Sequence, residues 1–179
     1  MPITAGTHEL GPHNASLQIK TYREGVAAKI GHDLTIEVTR WEATVTSTGE
    51  PPSMTVELSA DSRSLEVRGG ERGVKPLSDK DRAEIRKNID EKVLKGQPIQ
   101  FRSSSVDPDG SALAVAGELT IGDATRPLRA QLTLGEDGAI RGTIPLTQTE
   151  WGIKPYRGLM GALKVRDDVE IVVDAQLPA

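Results

Sequence analysis

Apolar residues recur at every second position through most of this chain. Leu17, Ile19 and Thr21 alternate with Ser16, Gln18, Lys20 and Tyr22. Leu34, Ile36 and Val38 alternate with Thr35, Glu37 and Thr39, and Met54, Val56 and Leu58 with Thr55, Glu57 and Ser59. The period returns at Ile99 and Phe101, at Leu119 and Ile121, and at Leu128, Ala130, Leu132 and Leu134. It appears again at Ile140, Ile144 and Leu146, and finally at Val169, Ile171, Val173, Ala175 and Leu177. Successive side chains of a strand point to opposite faces, so this period predicts strands with one face on a core and the other in water. About eight or nine such strands are expected.

The breaks between the runs carry turn chemistry. Asp107-Pro108-Asp109-Gly110 and Glu136-Asp137-Gly138 are tight hairpin signals, because Asp-Gly tolerates positive φ, and Gly49-Glu50-Pro51-Pro52 ends another run. Strands joined by such short turns are antiparallel neighbours. With 18 glycines, 11 prolines and only two Trp, two Tyr and one Phe, the chain predicts many turns and a core of Val, Ile and Leu.

One segment breaks the period. Ser78-Asp79-Lys80-Asp81 resembles a capping box, with Asp where Glu is usual, and Ile85, Ile89 and Val93 follow at helical spacing. Gly96 suits a helix C-terminus and Pro98 forbids continuation, so the expectation is a helix over about 79–95 lying across the surface or one end of the strands' assembly, as a structural cover or a lid. Before it, 65–77 contains Gly69, Gly70, Gly73 and Pro76 among Arg68, Arg72 and Lys75, and reads as a long polar loop.

A length of 179 residues without internal repeats predicts one domain spanning 1–179. A net charge of −4 gives no electrostatic reason to expect nucleic acid or an anionic membrane as partner. No run of about 18 apolar residues exists, and Met1-Pro2-Ile3-Thr4-Ala5-Gly6-Thr7-His8 lacks the basic start and apolar run of a signal peptide. A cytoplasmic protein is the expectation, although a mature form placed behind a new Met1 would read the same.

Motifs of catalysis are missing. There is no Gly-x-Ser-x-Gly elbow, no phosphate-binding Gly-rich loop followed by Lys-Ser or Lys-Thr, and no His-Glu-x-x-His. With no cysteine, neither disulfides nor a thiolate site arise. His8 and His13 with Asp33 offer a weak metal constellation, and Asp33 with Asp61 a weak carboxylate pair. The expectation is a protein that is not an enzyme and uses no cofactor or metal.

Six stretches in order resemble the YceI-like family. They are His8-Glu-Leu-Gly-Pro-His-Asn-Ala-Ser-Leu17, Lys29-Ile-Gly-His-Asp-Leu-Thr35, Asp61-Ser-Arg-Ser-Leu-Glu-Val67, Ile99-Gln-Phe-Arg-Ser103, Gly117-Glu-Leu-Thr-Ile-Gly-Asp-Ala-Thr-Arg-Pro127, and the pair Trp151-Gly-Ile-Lys-Pro-Tyr156 with Gly161-Ala-Leu-Lys-Val-Arg-Asp-Asp-Val169. The Gly31-His32-Asp33 element is similar to that of one subgroup, and Asp123 departs from the family's usual glycine. The resemblance implies a mainly β fold, an eight-stranded antiparallel lipocalin-like β-barrel with one helix, whose interior holds an isoprenoid or other amphiphilic chain. Many relatives are exported, against the cytoplasmic expectation.

A barrel of eight strands either fills with side chains or holds one small ligand, and a lining poor in aromatics favours a void. The residues expected to contact such a ligand are His32, Ile36, Val38, Phe101, Leu119, Ile121, Trp151 and Tyr156. His32 has two readings, a head-group contact or a residue satisfying local backbone beside Gly31 and Asp33. Trp151 and Tyr156 either line the cavity or plug a barrel end. The expected partner is a hydrophobic small molecule; the alternatives are a filled barrel acting as an interaction protein, as a homodimer, and, ranked below it, an enzyme or metal-binding protein using His32 and Asp33.

Overall fold

A computed structural model describes residues 4–48, 53–71, 73, 75–158 and 163–178, apart from the side chains of Ile30 and Leu163. The predicted turn at Gly49-Glu50-Pro51-Pro52 lies outside these residues, as do Arg72 and Gly161-Ala162.

Strands follow the period-two runs. They are β1 (Gly6–Leu10), β2 (Ala15–Thr21), β3 (Arg23–Glu24), β4 (Asp33–Val38), β5 (Trp41–Thr48), β6 (Ser53–Ala60) and β7 (Leu65–Glu71). After helix α1 (Asp79–Asn88) come β8 (Ile99–Asp109), β9 (Ala112–Ile121), β10 (Ala124–Leu134), β11 (Ala139–Thr147), β12 (Arg157–Gly158), β13 (Leu163–Val165) and β14 (Asp168–Gln176). Gly110 (φ 59°) and Gly138 (φ 85°) turn the two Asp-Gly hairpins in the left-handed region, as the sequence predicts.

Eleven strands form one antiparallel sheet in the order β1-β5-β6-β8-β9-β10-β11-β14-β2-β4-β7. Its two ends are halves of the same long strands. β4 runs into β5 through Thr39 and Arg40, and β6 runs into β7 through 61–64. The bends are tied by Thr39 N to Ser64 O at 2.9 Å and Asp61 N to Arg40 O at 3.0 Å. The Ser64 hydroxyl, 1% exposed, accepts from Arg40 N at 3.0 Å. β1 and β2 are likewise one strand broken at 11–14, since β1 pairs with β5 and β2 with β4. Counting each bent strand once, the pairing ring has eight members and returns to its start, the expected antiparallel barrel. The bends do what bulges do at barrel corners: they let a twisted strand turn from one wall into the next.

Two apolar clusters line the ring towards opposite ends. One gathers Ile36, Val38, Leu119, Ile121, Trp151 and Ile153 with Ile89 and Leu94 of the helical segment. The other gathers Leu10, Val45, Leu113, Ile140, Ala175 and Leu177.

Two expectations change. The segment 65–77 is not loop throughout, because β7 pairs with β4 from Asp33↔Glu71 to Val38↔Leu65. Its glycines serve the strand: the register shifts opposite them at Thr35/Ile36, and a Cβ on Gly70 would lie 2.5 Å from Leu77 Cδ1. The helix starts at the predicted cap, where the Ser78 hydroxyl accepts from Asp81 N and the Asp81 carboxylate accepts from Ser78 N. Its last turn, Ile89–Val93, widens into a π-helix closed by Leu94 N to Ile89 O at 2.8 Å. That spacing of five places Ile89 and Leu94, both buried, in one row against the barrel end.

Candidate ligand cavity

The inward positions of the eight long strands do not meet across the barrel. They enclose a cavity of about 310 Å³ whose walls come from every member of the ring. Leu17 and Ile19 of β2, Ile36 and Val38 of β4, and Ala43 and Val45 of β5 form one side. Phe101 of β8, Leu119 and Ile121 of β9, Leu128 of β10, Ile144 of β11 and Ile171 of β14 form the other. Ile89, Val93 and Leu94 close one end. The void follows from composition: medium aliphatics alternate along the strands, and among the described residues the lining has two aromatic rings, Trp41 and Phe101.

Polar groups in the wall are Ser16, Thr21 and Gln148, and among the described residues no ionisable side chain lines it. The Gln148 amide is engaged, donating from Nε2 to Arg166 O at 3.0 Å. An ionised group brought inside would lose its hydration and meet no counter-charge. The lining therefore suits a neutral, apolar occupant.

Of the residues expected from the sequence, Ile36, Val38, Phe101, Leu119 and Ile121 lie together on this lining. His32, Trp151 and Tyr156 do not line it. The Trp151 ring, 4% exposed, packs in the core beside the barrel end, with Nε1 donating to Leu119 O at 2.8 Å. Tyr156 lies against the helical segment, with Lys92 Nζ 5.9 Å from its ring centre and Asn88 Nδ2 donating to its hydroxyl at 3.5 Å. His32 Nε2 bonds to Lys75 O at 2.5 Å, and its ring occupies the place a Cβ would take on Gly73.

The polar constellations are dispersed. Asp33 accepts from Arg23 N at 2.9 Å, while Asp61 pairs with Arg40 at 3.0 Å in the bend after β6. His8, on β1, bonds to Thr4 O at 2.7 Å. Among the described residues no three His, Asp or Glu side chains converge as metal ligands would. No helix among them is long and apolar enough to cross a membrane.

Sequence reasoning missed the β5 wall. Ala43, Val45 and Ser47 alternate with Glu42, Thr44 and Thr46, but small residues carry little hydrophobic signal. Leu113 and Val115 of β9 are hidden in a run of alanines, where both faces read as apolar.

A family model described as YceI-like domain matches residues 12–177. The crystal structure of Burkholderia cenocepacia BcnA is similar in fold, with a TM-score of 0.64 at 15% identity over 89% of this chain and 94% of that one. No curated protein matches by sequence.

Proposed function

The chain belongs to the YceI-like family, and on that premise we propose that its barrel binds a neutral apolar chain of isoprenoid or fatty-acyl type, without transforming it. The observation that carries this reading is the cavity of about 310 Å³ with no ionisable group in its lining among the described residues. Burial contributes roughly 0.8 kcal/mol per methylene, so several branched units outweigh the costs of association. The same cavity favours a carrier over a barrel filled by its own side chains. Ile36, Val38, Phe101, Leu119 and Ile121 are the proposed contacts. Non-catalytic carriage agrees with the lining, which offers no acid, base or nucleophile beyond two hydroxyls and an engaged amide.

Native mass spectrometry of the purified protein, before and after organic extraction, tests the reading. A bound apolar mass that extraction removes and added geranylgeraniol restores supports it. A protein that never carries such a mass overturns it.

A further inference from the structure

The shortest ladder in the barrel's ring of hydrogen bonds joins β10 to β11. β10 and β11 are long and joined by a tight hairpin, yet they share only the register pairs Thr133↔Arg141 and Leu134↔Ile140 beside the turn. β9 pairs with β10 from Ala124↔Ile121 to Thr133↔Ala112, and β11 with β14 from Ala139↔Gln176 to Thr147↔Asp168. The two strands are therefore well held on their outer sides and without a ladder between them beyond Arg141.

The short ladder has a cause in sequence. Pro127 in β10 and Pro145 in β11 have no N–H to give a ladder. Since the pairings of β10 with β9 and of β11 with β14 run unbroken past them, each proline nitrogen faces the other strand across the seam. The far end of the gap is tied again, where Arg126 Nε donates to Glu150 O at 3.3 Å and Trp151 Nε1 reaches Leu119 O. Contact between the strands reaches Gly142, where a Cβ would lie 2.3 Å from Leu132 Cδ2 and 3.3 Å from Gln131 O, so what remains is an unladdered lateral window between Leu128–Ala130 and Ile144–Leu146. Its span is about 7 Å, from two residues at roughly 3.3 Å each. Leu128 and Ala130 on one side and Ile144 and Leu146 on the other are also cavity lining, so the window faces the apolar interior directly.

We propose that this β10–β11 window is the entrance through which an apolar chain passes into the barrel, while the α1 end stays shut. The proposal rests on the carrier reading above. The helix end is the poorer door, because Ile89 and Leu94 are buried in the core and the charged face of α1 is anchored by Arg86 to Glu66 of β7 at 3.6 Å.

The chain has no cysteine, so paired cysteines can be placed cleanly. Extending the register puts Gln131 opposite Thr143, both exposed. One variant carries Gln131→Cys with Thr143→Cys, and a second carries Glu66→Cys with Arg86→Cys. Each is joined by a short bis-maleimide after loading with geranylgeraniol, and release to vesicles of neutral phospholipid is timed. The window crosslink should slow release at least tenfold and the helix crosslink less than twofold. Release slowed only by the helix crosslink, or by neither, overturns the window. If no variant, crosslinked or not, ever holds the chain, the carrier reading itself falls and the window with it.

Discussion

The indole Nε1 of Trp151 donates to the main-chain oxygen of Leu119 at 2.8 Å, inside the core. This bond joins the one-turn helix Gln148–Trp151, which follows β11, to β9 on the far side of the window. A ring placed there buttresses the wall against which Leu119 meets the cavity. Trp151→Phe leaves a buried carbonyl without this donor and should cost about 1–3 kcal/mol. Trp151→Ala adds a cavity and should cost about 3–5 kcal/mol. Denaturant unfolding measures both, with the alanine variant the less stable.

Gly117 is required by close approach. A Cβ there would lie 2.3 Å from Arg102 O and 2.8 Å from Ser103 Cα, where β8 is irregular between Ser103 and Ser105. Backbone cannot step aside as a side-chain tip does. Gly117→Ala should destabilise by about 1–3 kcal/mol or more, read from the same unfolding curves.

How far the chain could be read in advance divides along this line. Strands with a strong period, such as Val169 to Leu177, were legible because alternation reports one residue at a time. β7 was not, since Gly69 and Gly70 look like loop until their partner strand supplies a register shift at Thr35/Ile36. The cavity lining at Ile36, Val38, Phe101, Leu119 and Ile121 was legible for the same reason as the strands. The places of His32, Trp151 and Tyr156 depend on contacts with Lys75, Leu119 and Asn88, each more than thirty positions away, and no local pattern encodes them. The prolines of the window were visible, but their effect needs both flanking ladders to be known.

The helix cap predicts a pH effect. The Asp81 carboxyl is held below its ordinary range, first by the main-chain N–H of Ser78 and then by its hydroxyl. A group whose folded pKa is depressed contributes stability above its unfolded pKa, about 3.9, and loses it as pH falls through the folded value. Ser78→Ala should cost about 1 kcal/mol near neutral pH. Asp81→Asn should differ from the parent near neutrality, with the gap narrowing as pH drops below about 4, followed by thermal unfolding.

Filling the cavity should separate stability from binding. Ala43, 3% exposed, faces the void. A larger side chain there occupies empty space rather than forcing packed neighbours apart. Ala43→Phe should leave the extracted protein folded and no less stable, and should cut geranylgeraniol uptake at least tenfold. A variant that binds as well as the parent would place the ligand elsewhere.

The central claim is that the barrel interior is a binding site for an apolar chain. The most direct measurement is the melting temperature of organically extracted protein titrated with geranylgeraniol. A ligand that binds only the folded state raises stability by about 2.7 kcal/mol at a hundred times its Kd. The account predicts a melting temperature that climbs with ligand concentration in the parent and stays flat in Ala43→Phe. A parent protein whose melting temperature does not move at any concentration of soluble ligand would contradict it.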